Sequence, residues 1–110
     1  MKIKRRPLTD HYILVERKPL PCVDSEEWQR WMSGPREQRL VACHKFLDYT
    51  IVETYFVGFD VAPNQSNRPL VFETIVIGGR MNGMVENYST WKDAEKGHKH
   101  ACALVKGSLH

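Results

Sequence analysis

The stretch 49–59 (YTIVETYFVGF) limits what this chain can fold into more than any other. Its β-branched and aromatic side chains favour a pleated strand, and strand alternation divides them between two sides. Val52, Thr54 and Phe56 point one way; Ile51, Tyr55, Val57 and Phe59 point the other. A strand that is apolar on both sides belongs in the middle of a sheet. With 110 residues there is room for one such core and no second domain. Hydrophobic residues make up 42% and charged residues 26%, which fits an ordinary globular domain and excludes disorder, collagen and coiled coil.

The flanking segments build outward from that strand. Residues 39–45 (RLVACHK) are β-favouring without helical spacing and form a hairpin with it across Phe46, Leu47 and Asp48. Residues 70–77 (LVFETIVI) give the next strand, ended by Gly78 and Gly79, and residues 11–16 (HYILVE) give a first short one closed by Pro19 and Pro21. Residues 60–69 and 80–88 read as loops. Asp24 is an N-cap that starts a helix at Ser25, with Trp28, Trp31 and Met32 on one face and a stop at Ser33, Gly34 and Pro35. Thr90 and Asp93 fit the capping-box spacing of a second helix. There Trp91, Ala94, His98, Ala101, Cys102 and Val105 recur at the helical period, opposite Lys92, Glu95, Lys96 and Lys99. The predicted fold class is α+β: an antiparallel sheet of about four strands, in the order β-α-β-β-β-α, with two helices packed on one face. A basic arm over 1–8 precedes a single domain over 9–110.

The formal charge is +3, but Lys2, Lys4, Arg5 and Arg6 supply four of the sixteen basic residues, leaving twelve against thirteen acids from Pro7 onward. A nucleic-acid-binding domain carries its positive charge on a face of the fold, so only a weak contact through the arm is expected. Three cysteines, Cys22, Cys43 and Cys102, without CxxC spacing or a signal peptide, predict reduced thiols and a cytoplasmic protein. No apolar run approaches the roughly 20 residues that span a bilayer, so no membrane partner is expected.

Two acids interrupt the apolar strands, Glu53 and Glu73. Burial in a dry core would be costly, so both are expected on the uncovered side of a one-sided sheet. The sharper alternative is a polar site on that side or at the loop end of the strands, where Asp60 closes the central strand and Tyr55 offers an aromatic ring. His98 lies on the apolar stripe of the last helix, as a satisfied core histidine or as a ligand or proton-transfer group. Asp60, Glu73, Tyr55 and His98 are therefore the ligand-binding candidates. Trp28 and Trp31 anchor the first helix or, if bare, mark an interface. His98 and His100 are two apart and do not chelate as a helical pair, Cys43 and His44 face oppositely, and nucleotide-cradle and hydrolase motifs are absent. Neither a metal nor a cofactor is expected.

Three stretches, 52–60 (VETYFVGFD), 72–79 (FETIVIGG) and 88–98 (YSTWKDAEKGH), together resemble a group of small uncharacterised proteins of bacteriophages, prophages and bacteria. The likeness rests on FETxVxGG and YxTWxxAExGH patterns and covers most of the chain. Glu53 stands where the group has a serine, and Val61 where an Asp-His pair would place its histidine. The resemblance implies fold and origin and carries no biochemical role. With no catalytic signature, the first functional expectation is a non-enzymatic phage-type accessory protein that binds a host component, including one of a defence system. The alternatives are a protein that sequesters a small nucleotide ligand and a small hydrolase using Glu73 and His98. A bare sheet edge or tryptophan leaves a homodimer open.

Overall fold

A computed structural model describes residues 9–63 and 65–109; the basic arm lies outside the described residues. Strands β1 (Tyr12–Val15) and β2 (Lys18–Pro21) form a separate hairpin. Helix α1 (Ser25–Met32) and a 3-10 turn (Arg36–Gln38) follow. Strands β3 (Leu40–Lys45), β4 (Ile51–Phe56), β5 (Phe72–Ile77) and β6 (Val85–Tyr88) make an antiparallel meander in that spatial order, and helix α2 (Trp91–Gly107) ends the fold. The α+β class and the antiparallel sheet are as the sequence predicts, with β4 in the interior of the sheet.

Two details correct the predicted order. The first strand does not join the main sheet. It turns back through Glu16 and Arg17, both at positive φ (51° and 66°), a two-residue turn that usually recruits glycine or asparagine. Its partner strand contains the prolines expected to end it. Pro19 and Pro21 face Leu14 and Tyr12, which by alternation from the turn are the non-hydrogen-bonded pairs, so the missing N–H groups interrupt no ladder bond. The fourth place in the sheet goes to β6, within the segment expected as a loop, where pairing along the free edge of β5 outweighs a polar sequence.

The caps form where predicted. Asp24 accepts hydrogen bonds from the Glu26 and Glu27 amides (2.9 and 3.3 Å), and Thr90 accepts one from Asp93 (3.0 Å). Helix α1 has no fully buried residue and is held by its tryptophans. The Trp28 indole N–H donates to the Tyr12 and Gly58 carbonyls (3.1 and 2.9 Å), and the His11 ring stacks on it at 4.1 Å. Gly58 sits at φ +89° against the Met32 sulfur, where a β-carbon would collide. Trp31 meets Phe56 edge-on at 5.5 Å. One helix thus ties the hairpin to the tail of β4, where Tyr12 N–H also bonds the Gly58 carbonyl (2.8 Å).

Helix α2 lies across one face of the sheet. Below it Val52, Phe56, Phe72 and Val76 are completely buried, with Ala94, Ala101 and Val105 on the helix. The core divides into two apolar clusters, one around Phe56, Phe72 and Tyr12, the other around Val52, Val76 and Val105. Close helix-to-sheet approach depends on Gly97, because a β-carbon there would run into the Tyr88 ring.

Candidate functional site

Strand parity sends the remaining side chains of β3 to β6 to the face that no helix covers. Register aligns them in rows: Cys43, Glu53, Ile75 and Val85 in one; Tyr55, Glu73 and Asn87 beside it; Lys45, Ile51 and Ile77 on the other side. Ile51, Tyr55 and Ile75 are half-buried, while Ile77 and Val85 at the margin are each 47% exposed. Both strand acids lie here, as expected. Glu53 forms an ion pair with Arg36 from the 3-10 turn. Glu73 accepts a hydrogen bond from the Tyr55 hydroxyl and a longer one from the Asn87 amide (3.4 Å). Burial, reinforced by the bond to Glu73, pushes the Tyr55 phenol up to about 12. Each acid therefore has a partner, and the face combines apolar residues with these two engaged carboxylates.

The four ligand-binding candidates do not share one site. Tyr55 and Glu73 are together on the open face. His98 is on the sheet-facing side of α2, across the sheet from Glu73, so a hydrolase built from Glu73 and His98 has no common substrate position. Asp60 Oδ1 accepts from the Ala62 and Leu70 amides (3.1 and 3.2 Å) and pins the two ends of the loop between β4 and β5. Trp28 and Trp31 are half-buried and engaged within the chain.

The two core clusters are separated by a buried polar relay. His98 Nδ1 lies 2.8 Å from the Thr54 hydroxyl, which lies 2.5 Å from that of Thr74, itself hydrogen-bonded to the Tyr88 phenol. On the other side His98 Nε2 is 3.5 Å from the Cys102 sulfur. Burial, and secondarily His44, holds the His98 pKa below its ordinary value; burial also pushes the Cys102 thiol up. With both groups neutral at rest the imidazole carries one N–H, so it donates at one of these two contacts and accepts at the other. Their four-residue spacing on one helix face is legible in the sequence, where both residues fall on the apolar stripe. Past Cys102 the surface opens into a groove of about 410 Å³ lined by His44, Phe46, Leu47, Cys102, Ala103, Lys106 and Leu109. Nothing in the sequence pattern announces it, because it joins the β3–β4 turn to the last turns of α2.

All three cysteines are free thiols. Among the described residues no three His, Cys, Asp or Glu side chains gather as a metal ion requires, and no helix is long and apolar enough to cross a membrane. Comparison with known proteins finds no matching family model, no matching curated protein and no matching solved structure.

Proposed function

We propose that this chain is a non-enzymatic accessory protein of the phage type that acts by docking the uncovered face of its sheet onto a host protein. The observation that carries this reading is the combination on one uncovered face of Ile51, Tyr55, Ile75, Ile77 and Val85 with two acids already neutralised or hydrogen-bonded by their neighbours. Contiguous apolar surface of this kind marks protein–protein contacts, and pre-paired polar groups lower the desolvation cost of covering it. An uncovered sheet face suits a macromolecular partner better than a small nucleotide, which needs a concave site. The three resembling stretches support the phage-type origin, and a component of a host defence system is the partner that origin suggests.

The test is affinity capture from bacterial lysate with three baits: the wild-type chain, Ile75→Lys on the open face, and Lys96→Ala on the exposed side of α2. One partner retained by wild type and Lys96→Ala and lost with Ile75→Lys supports the reading. Identical captures from all three baits overturn it. A doubled solution mass that Ile75→Lys abolishes, with no captured protein, replaces the host partner by a second copy of this chain.

A further inference from the structure

The groove beside Cys102 is on the opposite side of the sheet from the docking face and is independent of it. Its apolar walls are unusually bare. Leu47 at the tip of the β3–β4 turn is fully exposed, Leu109 is 44% exposed, and Phe46 and Ala103 lie between them. The ionisable residues of the lining other than the Cys102 thiol are His44 and Lys106, both basic types.

The surroundings have the same sign. Beyond Glu95, helix α2 carries Lys96, Lys99, His100 and Lys106 and no acid. The nearest acid along the chain, Asp48, has its carboxylate turned to the Thr50 amide and hydroxyl (3.0 and 2.9 Å). The Leu104 and Val105 carbonyls accept from the Ser108 amide (3.1 and 3.0 Å) and the Lys106 carbonyl from the Leu109 amide (3.3 Å), so the Lys106 ammonium is the group that offsets the negative end of the helix for an anion.

We propose that this groove binds the monomer of an amphiphilic carboxylate, a fatty-acid-like molecule. Its alkyl chain lies along Phe46, Leu47 and Leu109, over the Cys102 sulfur, and its carboxylate lies at Lys106. A volume of about 410 Å³ is within the range of small-ligand sites. Charge complementarity selects a carboxylate over an alcohol or an amine of equal length. The thiol forms part of the wall, so occupancy covers it, and Cys102 becomes a built-in reporter. Cys43, exposed on β3, serves as the internal control.

The experiment uses the full chain with dodecanoate below its micellar concentration, dodecanol and dodecylamine as comparisons, and N-ethylmaleimide labelling resolved by peptide mass spectrometry. Dodecanoate is expected to slow alkylation of Cys102 at least about fivefold at saturation while leaving Cys43 unchanged, and to raise the melting temperature by mass action. Lys106→Gln, at an exposed position, is expected to melt like wild type and to weaken dodecanoate binding about threefold to fivefold, the scale of one exposed ion pair. Leu47→Asp is expected to weaken it further. Absence of protection at Cys102 overturns the proposal, as does equal protection of Cys43. Equal binding of dodecanol, or an unchanged affinity in Lys106→Gln, overturns the carboxylate assignment. Binding only to anionic or zwitterionic vesicles and not to the monomer overturns the groove as a single-molecule site.

Discussion

The two faces of one sheet are built from alternate residues of the same strands and meet different fates. On the covered face, Val52, Phe56, Phe72 and Val76 are sealed under α2, and the polar side chains Thr54, Thr74 and His98 form a chain in which Thr54 bonds both of the others. On the open face, Ile51, Tyr55 and Ile75 keep partial contact with water, and the acids find local partners across neighbouring strands or from the 3-10 turn. The covered face is where stability is concentrated, since full burial of large apolar groups is the dominant favourable term. The open face contributes less to folding and retains the surface from which binding energy can be drawn.

This contrast is broken most severely from the covered side. Phe56→Ala is expected to cost about 3–5 kcal/mol in urea unfolding, whereas Ile75→Ala, one strand away on the open face, is expected to cost no more than about 1.5 kcal/mol. Comparable losses at the two positions would mean the open face is also a core. Gly97→Ala is the next in size, about 1–3 kcal/mol of overpacking against Tyr88. Adding Tyr88→Ala removes the clash, so the double variant is expected to lose clearly less than the sum of the single losses.

Acidification sharpens the comparison from the other direction. The pKa of His98 is lower in the folded protein than in the unfolded chain, chiefly through burial. The unfolded state therefore takes up the proton first as pH falls through about 6.5, and stability declines from that point until the folded pKa is reached. The His98 contribution is complete at neutral pH and is lost as pH falls from there to the depressed folded pKa. In His98→Gln that part of the slope in denaturant midpoint against pH is expected to vanish, while Glu73→Gln leaves it in place. The open face titrates differently. Glu73→Gln is expected to lower the Tyr55 phenol from about 12 without restoring its ordinary value, because burial is the larger cause, and ultraviolet absorbance of the phenolate reads this directly. Arg36→Ala is expected to have the smallest effect, a barely measurable change in denaturant midpoint, because its guanidinium is exposed and the pair with Glu53 is screened by solvent.

Much of this division is legible before any coordinates. Parity along 51–56 and 72–77 puts Val52, Thr54, Phe56, Phe72 and Val76 on one side and both glutamates on the other, and Asp24 and Thr90 mark the two helix starts. The hairpin of β1 and β2 is not legible, because its turn forces Glu16 and Arg17 into a conformation their side chains disfavour, and two prolines argue against a second strand. Strand β6 is hidden for a different reason: a polar edge strand owes its existence to β5. Tyr55 and Glu73 are recognisable as neighbours only once the register of β4 against β5 is known, since nothing local fixes which residues of two strands stand opposite. The same register places Thr54 against Thr74 under His98, turning a lone helical histidine into the middle of a relay.

The division itself is tested most directly by hydroxyl-radical footprinting of the intact chain, alone and with its captured partner. The account predicts that Tyr55 and Ile75 are oxidised readily in the free protein while Phe56 and Phe72 are protected, and that the partner suppresses oxidation of Tyr55 and Ile75 alone. Oxidation of Phe72 as rapid as that of Tyr55 in the free chain, or a partner footprint confined to α2, would contradict it.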